Sequence, residues 1–308
     1  MPSIAADELV VPPAGGGQAE GTPAVSFEFF PPTDPAMDST LWKSIERLVP
    51  LGPRFASVTC GADGSTRDRT VALVQRIRAA TPHTVVPHVT SVGMTRTELC
   101  ELARDYWSSG IRHLVALRGD RPSCPEPALA MPALSGIEVV EAVRSVAHFE
   151  ISVAAYPEVH PRARSARDDL EQLKRKVEAG AGRAITQFFY DNGAFLRFRD
   201  ACGRAGIHVP IVPGILPINR FQQVCRFARR CGTCIPRWLD RLFAGLDEDA
   251  ETSRLLGAAV MLEQIEHLRR HGVEQFHFYT LNRADLPYAA CHALGLRAAG
   301  RAELGLPA

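Results

Sequence analysis

From Ala24 onward, short β-branched or aromatic runs are followed by amphipathic stretches of helical period, eight times over, and this alternation constrains the fold most. The runs fall at 25–30, 55–60, 85–90, 113–118, 151–156, 184–190, 211–216 and 275–281. Asp38-Ser39-Thr40 opens the first intervening helix, Thr95 with Glu98 makes a capping-box pattern for the third, and Ser165 opens the fifth. Gly110, Gly180, Gly206 and Gly272 close others. A long helix over 250–271 precedes the last strand, after an extra segment at 235–246, and a final helix covers 284–294. Eight such units in 308 residues predict an α/β protein, a single-domain (β/α)₈ TIM barrel. An open doubly wound sheet would bring a Gly-rich phosphate turn after its first strand. Here that strand ends Phe29-Phe30-Pro31-Pro32, which cannot make one. Residues 1–23, rich in Pro, Gly and Ala without periodicity, read as a disordered tail, and 24–308 as the barrel domain.

With 35 basic against 34 acidic residues, nothing in the charge favours nucleic acid or a membrane surface as partner. The start of the chain lacks the pattern of a secretory signal, and no apolar run reaches membrane-spanning length. The expected location is therefore cytoplasmic, with the eight cysteines reduced. Cys231-Gly-Thr-Cys234 has no second pair at metal spacing and reads as a helix end carrying two thiols. His267 and His271 have the i, i+4 spacing of metal ligands but no accompanying carboxylates, so they read as a solvated helix end and no metal is expected.

The active site of such a barrel lies at the carboxyl ends of its strands. Polar side chains fall there at most of the eight: Glu28, Thr59, His88, Arg118 with Asp120, Tyr156 with His160, Gln187, and Tyr279 with Arg283. Alternation sets Ser26 and Glu28 on the face opposite Val25, Phe27 and Phe29. A carboxyl in such apolar company should have a raised pKa and suit a general acid, or else pair with a barrel arginine such as Arg118. Asp169, Gln172, Arg175 and Lys176 recur close to one face of the fifth helix, where a solvated face is the plain alternative. A Schiff-base aldolase needs a lysine at a strand end, and none of Lys43, Lys174 and Lys176 lies there.

Seven blocks, in order, carry a family resemblance: SFEFFPP from Ser26, FASVTCGADGSTRDRT from Phe55, GIRHLVALRGD from Gly110, ISVAAYPEVHP from Ile151, AITQFFYD from Ala184, IVPGILPI from Ile211 and FHFYTLNRA from Phe276. The chain resembles bacterial methylenetetrahydrofolate reductases of the short form. The resemblance implies FAD held without a covalent bond and NADH or NADPH as hydride donor. It also implies ping-pong reduction of 5,10-methylenetetrahydrofolate to the 5-methyl form, a step of one-carbon metabolism that feeds methionine synthesis, in a homo-oligomer. By the same likeness Glu28 is the general acid and Asp120 meets both flavin and pterin. Thr59, Cys60, His88, Arg118, Gly119, Ala154, Tyr156, His160, Asp169, Gln172, Arg175 and Lys176 match positions around FAD. Gln187, Gln223, Phe227, Tyr279 and Arg283 match positions for folate or nicotinamide. Three departures stand out: Cys60 replaces a Tyr, Gln172 replaces an Asn, and the loop after Asp120 is altered, with Ser135-Gly136-Ile137-Glu138 in place of a Tyr-Ala-Ser-Asp pattern. A proline dehydrogenase would need no Gln187, Gln223 and Arg283, and a non-catalytic flavin or folate binder no Glu28 and Asp120.

Overall fold

The computed structural model describes residues 21–61, 64–119 and 133–299. Alternating strands and helices run β1 (Ala24–Phe29), α1 (Pro35–Leu48), β2 (Phe55–Val58), α2 (Arg67–Ala80), β3 (Val85–Thr90), α3 (Arg96–Ser108) and β4 (His113–Leu117). They continue as α4 (Gly136–Val146), β5 (Glu150–Ala155), α5 (Ala166–Glu178), β6 (Arg183–Thr186), α6 (Asn192–Arg204), β7 (Ile211–Val212) and β8 (Gly214–Ile215). The chain then forms α7 (Phe221–Cys231), α8 (Arg237–Leu242), α9 (Ala250–Arg270), β9 (Gln275–Tyr279) and α10 (Asp285–Ala293).

Every strand pair is parallel, in the order β7-β6-β5-β4-β3-β2-β1-β9-β8. β7 and β8 are one strand of the sequence reading, interrupted at Pro213, which has no N–H to give a ladder. The first half pairs with β6 and the second with β9, so this broken strand closes the barrel. The expected eight-stranded barrel in one domain is the fold observed.

Alternation decides what goes inside. Val25, Phe27 and Phe29 of β1 and Phe276 and Phe278 of β9 face the helical ring and are buried with it, Phe27 lying 6.0 Å from Phe278. The interior holds Phe55, Val86, Val115 and Ile185 at mid-height. Towards the amino ends, Arg183 is buried and ion-paired with Glu150, and His113 shares a 2.8 Å hydrogen bond with Ser152. Several boundaries differ from the sequence reading by a few residues, two of them with a clear cause. The first helix begins at Pro35, capped by Asp34, whose carboxylate accepts from the Met37 N–H at 2.8 Å. Strand six ends at Thr186, because Gln187–Tyr190 leave the sheet to build the cavity wall. The capping box of Thr95 and Glu98 and the cap at Ser165 stand as expected. The predicted tail lies, but for 21–23, outside the described residues.

Candidate active site

At the carboxyl ends of the strands a cavity of about 610 Å³ opens, within the usual range for a cofactor or small-molecule site. Glu28, Thr59, Cys60, His88, Arg118, Gly119, Ala154, Tyr156, His160, Asp169, Gln172, Lys176, Gln187, Phe227 and Tyr279 all line it. These residues come from seven strand ends and two helices, so only closure of the barrel brings them together.

Glu28, its side chain 19% exposed, sits between two buried imidazoles. His88 Nε2 stands 3.5 Å and His277 Nε2 3.6 Å from Glu28 Oε2. Neither of these ring nitrogens has a hydrogen-bond partner. Ser26 lies two residues from Glu28 on the same face, and its Oγ meets His277 Nδ1 at 2.8 Å, fixing the ring. Burial pulls the pKa of His88 down to about 4, against the carboxylate of Glu28, which raises it; His277 lowers it further. His88 is thus neutral at pH 7. Arg118, the alternative partner for Glu28, takes no part in this group.

A second region gathers groups that could hold an anion. The Lys176 ammonium donates to the Ala154 carbonyl at 2.7 Å. Withdrawal from water brings its pKa down to about 8, Asp169 acting to raise it and Arg118 to lower it. Beside it, Ser135, Gly136 and Ile137 bring the start of α4 to the cavity. The capping box uses the amides of Ser135 and Glu138, leaving those of Gly136 and Ile137 for a ligand. Gly119, at φ 81°, follows Arg118 in a conformation that L side chains rarely adopt. The Arg118 carbonyl accepts from Thr90 Oγ1 and lies 3.2 Å from Ser91 Oγ, which pins this turn. Asp169 accepts from the His160 N–H at 2.8 Å, and the His160 ring meets Tyr156 edge-on at 4.4 Å.

The opposite wall carries Gln187, Tyr279, Phe227 and Cys231. The Tyr279 hydroxyl donates to Thr186 O at 2.7 Å, and burial keeps it protonated. Beyond β9, Leu281 and Asn282 adopt positive φ. The Asn282 side chain accepts from Phe30 N at 3.0 Å and donates to Phe30 O at 2.9 Å. That pair ties the turn after β9 to the turn after β1.

Three predicted residues do not line the cavity. Arg175 is exposed, about a third of a turn round α5 from Lys176 by helical geometry. Gln223, half-buried, and Arg283, exposed, lie outside it. Asp120 lies outside the described residues. Missed in the sequence were His277 and Asn282. The alternation of Gln-Phe-His-Phe-Tyr in β9 puts His277 on the Tyr279 face and was signal enough for the first. Nothing local marks Asn282. Among the described residues no group of three or more potential ligands could hold a metal, and His271 instead bonds through Nδ1 to His267 O at 2.8 Å.

A closed parallel barrel, with a half-buried carboxyl and a group of potential anion donors in one mouth, has the layout of barrels whose chemistry is done at the strand ends. Residues 17–295 match the methylenetetrahydrofolate reductase family, and the chain belongs to it. It is 52% identical over 280 residues to the 5,10-methylenetetrahydrofolate reductases of Salmonella typhimurium and Escherichia coli, covering 91% of this chain and 93% of each relative. It is 33% identical to methylenetetrahydrofolate reductase (NADH) 1 of Arabidopsis thaliana, over 94% of this chain and 51% of that protein. A solved structure, an uncharacterized protein from Clostridium thermocellum that binds two copies of 5-methyl-5,6,7,8-tetrahydrofolic acid, shares the fold. Its TM-score is 0.60 at 16% identity, covering 89% of this chain and 95% of that one. No helix among the described residues is long and apolar enough to cross a membrane.

Proposed function

We propose that the protein is an FAD-dependent 5,10-methylenetetrahydrofolate reductase, using NADH or NADPH as hydride donor in a ping-pong cycle. The observation that carries this reading is the joining, in one cavity, of a poised carboxyl at Glu28 with an anion-binding region around Lys176. The 52% identical relatives bear that name.

FAD fits the residues present. Lys176, Arg118 and the free amides at the start of α4 suit its diphosphate. Val115, Leu117, Val153 and Ala154 offer an apolar wall for a flat ring. When bound, FAD would supply a carrier that accepts a hydride from the nicotinamide and yields one to the folate.

The chain's own residues then have distinct tasks. Glu28 gives a proton to an amine nitrogen of the methylene bridge, which opens the bridge to an electrophilic iminium. His277, held by Ser26, and neutral His88 keep that carboxyl aimed into the cavity. Gln187 and Phe227 flank the folate, and Arg283 meets a carboxylate of its tail. We take Asp120 as the contact to pterin, and the protein as a cytoplasmic homo-oligomer. The test is direct: the purified protein should be yellow, release FAD on denaturation, and, without oxygen, oxidise more than one equivalent of NADH or NADPH per flavin only when methylenetetrahydrofolate is supplied. A colourless protein that cannot be reconstituted with FAD overturns the reading.

A further inference from the structure

The sheet register sets Ser26 of β1 directly beside His277 of β9, and both side chains are buried. Ser26 Oγ has two partners within reach, His277 Nδ1 at 2.8 Å and the Phe276 carbonyl at 3.4 Å. The second is long for an O–H···O bond, whose usual length is about 2.5–3.0 Å. If Nδ1 carried the ring proton and donated to Oγ, the buried hydroxyl would be left with that poor acceptor alone. With the hydroxyl donating to Nδ1, both atoms are satisfied. A neutral imidazole has a single N–H, so the ring proton then stands on Nε2. That nitrogen has no hydrogen-bond partner, and Glu28 Oε2, 3.6 Å away, is the acceptor it faces.

We propose that Ser26 is a positioning residue for proton transfer from Glu28: by setting the tautomer of His277 it turns a donor, not an acceptor, towards Oε2. The inference rests on the reading of Glu28 as general acid. His88 Nε2 approaches the same oxygen at 3.5 Å, so the two carboxyl oxygens are unequal. Oε2 faces the rings, and Oε1 is left to carry the proton. In the transfer the O–H bond of Glu28 breaks, its electron pair stays on the carboxylate, and an N–H bond forms on the amine of the methylene bridge. The Nε2–H of His277 closes on Oε2 as that charge develops. At 3.6 Å the contact is longer than a hydrogen bond beforehand, so it strengthens during the transfer, and only an interaction that does so speeds the step. The other tautomer would turn a lone pair to Glu28, accept the acid's own proton and withhold it from the substrate.

The other titratable groups turned towards Glu28 stay fixed in charge at pH 7. Burial keeps His88 on β3 neutral and the Tyr279 hydroxyl on β9 protonated, and β2 presents Ser57 at the level of Glu28. Lys176, brought down to about 8, stands at the Ala154 carbonyl, and any effect of its titration is common to wild type and variant.

The experiment follows both half-reactions by stopped-flow flavin absorbance across the neutral pH range, with FAD saturating. It uses the wild type, Ser26→Ala, His277→Gln and the double variant, with circular dichroism and bound-FAD content as checks of folding. Ser26→Ala should keep flavin reduction by NADH or NADPH near normal. It should slow re-oxidation by methylenetetrahydrofolate about three- to tenfold, the worth of one ordinary hydrogen bond. The fall of re-oxidation with rising pH should move to higher pH, because a carboxyl that loses a donor to its charged form holds its proton longer. A Gln at position 277 can turn an amide N–H to Glu28 and has no tautomer to set, so Ser26→Ala should change nothing further in that background. Four results overturn the role of Ser26: unchanged re-oxidation, equal slowing of both half-reactions, slowing with an unmoved pH profile, or the same loss in the His277→Gln background. If Ser26→Ala does not fold, His277→Gln against His277→Phe carries the test; re-oxidation should survive in the first and collapse in the second, and equal losses overturn the proposal. If Glu28→Gln leaves re-oxidation intact, the reading of Glu28 fails and takes this inference with it. If Glu28→Gln blocks re-oxidation and Ser26→Ala does not slow it, only the role of Ser26 falls.

Discussion

Replacing Glu28 by Gln separates a proton-donating role from a structural one. The substitution keeps the volume and planarity of a side chain that is 19% exposed and packed between His88 and His277, so little stability should be lost. What it removes is the transferable proton. Nicotinamide-to-flavin hydride transfer needs no acid from the protein, whereas opening the methylene bridge does. A positioned general acid contributes about 10²–10⁴-fold, or roughly 3–5 kcal/mol of barrier at about 1.4 kcal/mol per decade. The distances of 3.5 and 3.6 Å from Oε2 to the two ring nitrogens leave the carboxyl close to both but locked to neither. Each half-reaction is followed by stopped-flow absorbance of the flavin. Bleaching by NADH or NADPH should keep a near-normal rate in the variant, and re-oxidation by methylenetetrahydrofolate should fall by the full factor. Equal slowing of both halves would mean that Glu28 serves flavin binding or the barrel, and the general-acid role would be lost.

Other outcomes follow from the same geometry. Lys176→Met should weaken FAD affinity by about 10–100-fold, the range for losing a charge-assisted hydrogen bond; titration of the apoprotein with FAD measures it, and unchanged affinity would take Lys176 out of the diphosphate site. Arg283→Ala should raise the KM for methylenetetrahydrofolate and spare flavin reduction, and an unchanged KM would remove Arg283 from the site. Acid stability has a defined window, because burial holds both His88 and His113 at about 4 against an ordinary 6.5. Between those values the unfolded chain binds protons that the folded one refuses, so stability present above pH 6.5 is lost as pH falls towards 4. The loss is of the order of 3 kcal/mol for each histidine. Urea midpoints measured across this window should fall steeply, and a flat profile would contradict the burial argument.

The barrel was legible in the sequence because its cause is local. Strand period, helix period and punctuation such as the capping box at Thr95 and Glu98 are properties of neighbouring residues, and eight repeats of them leave few ways to bury the apolar faces. The same alternation gave Glu28 its inward direction, and the motifs beside it gave the family. Three things were decided only by the tertiary structure. Closure through a strand broken at Pro213 depends on β6 and β9 both being near, which no local pattern encodes. The row on α5 looked like a solvated face and split, Asp169, Gln172 and Lys176 turning to the cavity and Arg175 to solvent, because α4 and β5 cover one part of that face. Above all, the environment of Glu28 comes from residues 60 and 249 positions away, His88 and His277. Sequence sets the direction in which a side chain leaves its strand. What it meets there depends on which strands become neighbours, and that is settled only when the barrel closes.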